Sequence, residues 1–92
     1  MKPPLSCGAQ DLLEAAIIQR RRLNIICHLD GGEQALYDRV LPVDINTHAG
    51  QEILTFLTTD NQGGILKLEI NTADIASFEA KDYMDPRIHY RR

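Results

Sequence analysis

The spacing of apolar residues obeys one rule before Leu23 and another after it. Ala9, Leu12, Leu13, Ala16 and Ile17 stand at i, i+3, i+4, i+7 and i+8, the stripe that one face of an α-helix presents to a core. From Leu23 onward Leu23, Ile25, Cys27 and Leu29 alternate with Asn24, Ile26 and His28, the period of two that belongs to a strand covered on one side. A helix followed by strands is therefore predicted, and the class is α+β.

Turn chemistry divides the remainder. Asp30-Gly31-Gly32 closes a first hairpin, since glycine reaches positive φ without a steric cost. A second strand is predicted from Glu33 to Leu41, with Leu36 and Val40 pointing inward and Pro42 ending the regular pairing. Asp44 to Gly50 (DINTHAG) reads as a polar loop. Glu52 to Thr59 is rich in β-branched and aromatic residues, and Asp60 to Gly64 turns it into Ile65–Asn71, where Leu66, Leu68 and Ile70 alternate with Lys67 and Glu69. A last strand, Ile75 to Ala80, follows the Thr72-Ala73-Asp74 turn.

Five short antiparallel strands behind one helix predict a small, strongly bent barrel or sandwich, because closure is how so few strands avoid open edges. The expected organisation is a disordered lead-in over 1–5, one domain over 6–80 with Ser6 as helix N-cap, and a mobile, basic-ended tail over 81–92. Ninety-two residues leave no room for a second domain.

No apolar run approaches the roughly 20 residues of a membrane span, and Met1 to Leu5 has no apolar signal core, so a cytoplasmic protein is expected. Two cysteines, Cys7 and Cys27, without a secretion signal predict reduced thiols rather than a disulfide. His28, His48 and His89 are too scattered for a metal site, and no cofactor is expected. Catalytic motifs are absent: Cys27 and His28, the one Cys/His pair, would point to opposite faces of a strand, and each Gly-Gly pair lies between strands rather than at a helix N-terminus. A non-catalytic binding module is expected.

Charge is unevenly spread. Leu23 to Pro86 holds eleven acids against three bases, a net −8 within a chain whose total is −3. The other bases, Lys2 apart, gather in Arg20-Arg21-Arg22 and in the run from Arg87 to Arg92. Such arginines bind phosphate bidentately, and Tyr90 can stack on a base, so Arg20, Arg21, Arg22, Arg91 and Arg92 are the candidate nucleic-acid contacts. The opposing explanation is a helix C-terminus matched to its dipole and a solvated tail, and the −8 body would repel a polyanion. Acids are ordinarily a solubility surface. The alternative is a patch formed by Asp11, Glu14, Asp30, Glu33 and Asp38 that complements a basic protein.

Cys7, Asp11, Leu13, Glu14 and Ala16, then Leu23, Ile25 and Leu29 leading into Asp30-Gly31-Gly32-Glu33, and later Leu66-Lys67-Leu68 and Asp74-Ile75-Ala76-Ser77-Phe78, form a series that resembles the Rof (YaeO) family of Rho inhibitors. The resemblance runs from about Cys7 to Glu79. It implies an N-terminal helix packed on a small five-stranded antiparallel barrel of the Sm-like or SH3-like kind, and binding to the RNA-binding domain of the termination factor Rho that opposes termination by excluding nascent RNA. A monomer is expected. Matched by position, Asp11 and Glu14 are acids of the family's helix, and Asp30 and Glu33 of its turn. A direct RNA-binding Sm-like module using Arg20 to Arg22 and the basic tail is the other reading.

Overall fold

The structure is a computed structural model and describes residues 7–80 and 88–91. One helix, α1 (Cys7–Gln19), precedes six strands: β1 (Leu23–His28), β2 (Gln34–His48), β3 (Gln51–Thr59), β4 (Ile65–Asn71), β5 (Ile75–Ala80) and β6 (His89–Arg91). All pair antiparallel in the order β4-β3-β2-β1-β5-β6. The predicted closed five-stranded barrel is thus corrected to an open sheet of six strands. The α+β class stands.

The sixth strand comes from the segment expected to be a mobile tail. Ala80 donates its amide to the Ile88 carbonyl at 2.8 Å, Ile88 is 3% exposed, and Tyr90 lies against Phe78 with ring centroids 5.4 Å apart. Two apolar residues at a spacing of two, set among bases, are too few to register as a period. The lead-in, the Ser6 cap, residues 81–87 and Arg92 lie outside the described residues.

α1 buries the predicted stripe through Ala9, Leu13 and Ala16, with Leu12 and Ile17 half-buried beside it. It ends sooner than the arginines suggest. Arg20 takes φ +55°, its amide donates to the Ile17 carbonyl at 3.2 Å, and the Arg21 amide donates to the Ala16 carbonyl at 2.9 Å. Those are the two bonds of a Schellman stop, with Arg20 in the left-handed position that glycine fills most readily. No base stands in the last helical turn. The arginines follow the helix rather than finish it.

β2 departs furthest from expectation. It runs fifteen residues, through Pro42 and most of the predicted loop, turning only at Ala49 and Gly50. Two slips in register make this possible. Leu23 pairs with Val40 but Ile25 with Tyr37, so β2 carries one extra residue there, and Arg39 adopts φ +56°. Pro42 pairs with Phe56 but Asp44 with Thr55, leaving Val43 as a second extra residue beside a proline that has no amide to pair. Each slip reverses the alternation. Ala35 and Tyr37 face inward, then Val40 and Pro42, then Ile45. Leu36, expected inside on the same face as Val40, is therefore outside and 65% exposed.

The first bulge is held by side chains. Asn24 accepts the Arg39 amide on Oδ1 at 2.9 Å, and Arg22 Nη1 donates to the Arg39 carbonyl at 3.2 Å. The β3–β4 turn is held by Asp60, whose Oδ1 accepts the amides of Gln62 and Gly64, each at 2.8 Å. A Cβ on Gly64 would meet Asp60 Oδ2 at 2.8 Å, so a larger residue there would have to displace the carboxylate that holds the turn. A 3₁₀ turn over Thr72–Asp74, in which Asn71 Oδ1 accepts the Ala73 amide at 2.9 Å, carries the chain from β4 across to β5, which pairs with β1.

Leu13, Leu23, Ile25, Val40, Leu54, Phe56, Ile75 and Phe78 are essentially inaccessible and form one core. Tyr37 meets Phe56 edge-on, with centroids 5.2 Å apart and planes at 63°. No buried side-chain nitrogen or oxygen among the described residues lacks a hydrogen-bond partner.

Candidate functional site

The acids sort by what their carboxylates do. Glu52 is half-buried and accepts from Gln10 Nε2 at 2.6 Å and from Thr72 Oγ1 at 2.9 Å. Asp60 organises its turn, and Asp44 Oδ2 accepts from Asn46 Nδ2 at 2.9 Å. Asp11, Glu14, Asp30, Glu33 and Asp38 are exposed, and their carboxylates make no hydrogen bond or ion pair with the described residues. Folding does not occupy them.

These five are distributed over α1, the tip of the β1–β2 hairpin and β2. Asp11 and Glu14, three residues apart, share the outward side of α1, and Ile18, four further on, is 80% exposed on that line. Beside them runs a shallow groove of about 170 Å³ between the helix and β2, with Ile17, Ile18 and Ile45 as apolar walls and Glu14 and Asp44 as acidic ones. Asp44 carries no signal as a site residue in the sequence, because it reaches the groove only when β2 continues through the predicted loop.

Asp30 opens the 3₁₀ turn at the tip of the β1–β2 hairpin and Glu33 follows it, and the Leu29 amide donates to the Glu33 carbonyl at 2.7 Å. Gly31 and Gly32 hold φ of +85° and +84° there, which accounts for both glycines. This tip is at the far end of β1 from the helix stop. Asp38 lies five residues past Glu33, about 17 Å along an extended strand, beside Arg39 in the bulge.

The bases separate as well. Arg20 stops the helix, Arg21 Nε donates to Gln19 Oε1 at 2.9 Å, and Arg22 holds the bulge. Arg91, opposite Ser77 on β6, borders a depression of about 390 Å³ on the outer face of β2-β1-β5-β6, floored by Ile26 and Leu36 and edged by Glu79 and His89. Arg92 is outside the described residues. Alternation accounts for this wall too: the residues whose neighbours fill the core turn their own side chains to water.

Cys27 is in the core at 2% exposure while His28 is exposed, as adjacent strand positions require. Among the described residues no three His, Cys, Asp or Glu gather to hold a metal, and no helix is long and apolar enough to cross a membrane. Asp11 and Glu14, without internal partners among the described residues, thus stand beside the exposed aliphatic chain of Ile18. No protein-family model matches this chain, and no curated protein matches it.

Proposed function

We propose that this protein is an inhibitor of Rho-dependent transcription termination that lays the acidic side of α1 on the basic RNA-binding surface of Rho and so denies that surface to RNA. The observation that carries the reading is the pair Asp11 and Glu14, exposed and unoccupied by the fold, next to a groove walled by Ile17, Ile18 and Ile45. The resemblance to the Rof family supplies the partner. Two carboxylates on one helical side mimic the charge of a phosphate run, and the isoleucines add apolar area that a nucleic-acid backbone lacks. Charge sets approach and register, and desolvation of the groove contributes affinity.

The test is Rho-dependent termination in vitro. Saturating protein should raise read-through, binding should weaken as salt screens the exposed charges over a Debye length of about 8 Å, and Asp11→Ala with Glu14→Ala should reduce the effect. Undiminished termination at saturating protein rejects the proposal. A second reading, direct binding of single-stranded RNA, draws support from β6, which holds Arg91 on the sheet beside His89. Titration against mixed single-stranded RNA at low salt separates the two, since only the second reading predicts an affinity that Arg91→Glu removes.

A further inference from the structure

An open sheet has two edge strands, and they are not alike. β6 is three residues long and basic. β4 is seven residues, ILKLEIN, with β3 on one side and no strand on the other among the described residues. Its outer row of backbone amides and carbonyls is a template for another strand, and the usual guards are sparse: no proline, no bulge in its pairing with β3, a single lysine. Ile65 is 74% exposed and Leu66 43% exposed at its start.

The sequence of this edge is complementary to itself. A second copy running antiparallel can extend the sheet with matched faces only where each residue meets one of its own parity, so that Leu68 and Ile70 stay on the core side and Leu66 keeps their face. Centring the pair on Lys67 sets lysine opposite lysine, and centring it on Glu69 sets glutamate opposite glutamate. Centring it on Leu68 does neither. Leu68 then faces Leu68 of the second copy, Leu66 faces Ile70, Ile65 faces Asn71, and Lys67 and Glu69 form two symmetry-related pairs of opposite charge directly across the strands. Within the chain, Lys67 lies opposite Leu57 and Glu69 opposite Thr55, and neither charge has an internal partner among the described residues.

From this we infer that the β4 edge is a self-association surface, on which two copies of the chain pair antiparallel about Leu68 into one continuous twelve-stranded sheet. The contact is isologous: the same strand serves both partners and the assembly closes at two. It is narrow for a permanent interface and makes a reversible dimer. The inference is independent of the Rho reading, and its test needs only the protein itself.

Sedimentation equilibrium from about 10 to about 500 µM, a range suited to weak contacts, should show a concentration-dependent dimer. Lys67→Glu and Glu69→Lys each place like charges opposite and should weaken it roughly tenfold or more, while the exchange K67E/E69K restores the pairs and the dimer. Circular dichroism confirms that each variant is folded. Hydrogen exchange of the wild-type chain supplies a readout free of substitutions: protection of β4 amides should rise with concentration. A monomer throughout the range, a single charge reversal that leaves the dimer intact, an exchange that fails to restore it, or β4 protection independent of concentration overturns the inference.

Discussion

Glu52 takes a hydrogen bond from Gln10 on one carboxylate oxygen, at 2.6 Å, and from Thr72 on the other, at 2.9 Å, so one side chain ties the helix to the turn that follows β4. Both bonds are to a charged acceptor in a half-buried setting, where such bonds are stronger than neutral ones. Glu52→Ala should cost about 2 kcal/mol in urea denaturation, and Glu52→Gln less, because one carbonyl oxygen remains to accept. A cost below about 0.5 kcal/mol for the alanine variant would mean that apolar packing alone seats the helix.

The helix stop makes an opposite prediction, a gain. Arg20 holds φ +55° in a position where glycine has no steric penalty. Arg20→Gly should stabilise the fold by about 1 kcal/mol, raising the melting temperature by about 4–8 °C for a domain of this size. Arg20→Val should lower it. Thermal melts of the two variants moving in the same direction would contradict the assignment of this residue as the stop.

Asn24 and Arg22 both bond to Arg39, but not equivalently. Asn24 satisfies the bulge amide at 2.9 Å from a half-buried site, whereas Arg22 reaches the carbonyl at 3.2 Å from an exposed one. Asn24→Ala should therefore cost about 1 kcal/mol and Arg22→Ala a few tenths. Chemical denaturation would show the reverse order if the guanidinium were the principal support.

Ile88 distinguishes a sixth strand from a loose tail. At 3% exposure in the core, its truncation to alanine leaves a cavity and should cost about 2–4 kcal/mol. An effect within about 0.5 kcal/mol, typical of surface positions, would return the segment to solvent.

For the Rho reading, placement ranks the acids. Charge reversal of Asp11 and Glu14 together should weaken inhibition of termination by about tenfold, while reversal of Asp38, which stands on β2 and not on α1, should change it little. Equal effects from the two sites would indicate that overall charge, and not the helix side, governs docking.

Much of this architecture was legible in the pattern. The helical stripe, the alternation of β1, the glycine turns and the Leu68–Ile70 face of β4 follow from local periodicity, and the core uses them as expected. What was not legible depends on the backbone. Leu36 and Val40 share a face in a regular strand, and only a left-handed Arg39 with an Asn24 acceptor from another strand puts them on different ones. Asp44 to His48 is polar enough to be a loop and becomes strand through pairing with Gln51 to Thr55. Open edges, likewise, are a property of pairing partners and leave no mark in a linear pattern. The acids of α1 could be named from sequence, but the groove beside them could not, since Ile45 and Asp44 reach it only through the slip at Val43.

β2 is the one strand that belongs to both halves of the sheet, pairing with β1 before its midpoint and with β3 after it. Between its two slips the inward positions are Val40 and Pro42, out of phase with Tyr37 before them and Ile45 after them. Substitutions there change local contacts, but loss or gain of a single residue would turn every side chain of one half inside out relative to the other. The chain should accordingly accept varied residues at the exposed positions Asp38 and Val43 while rejecting any change in the number of residues between them. Neither half has an independent register, so the sheet should open to solvent exchange as a single cooperative unit rather than half by half.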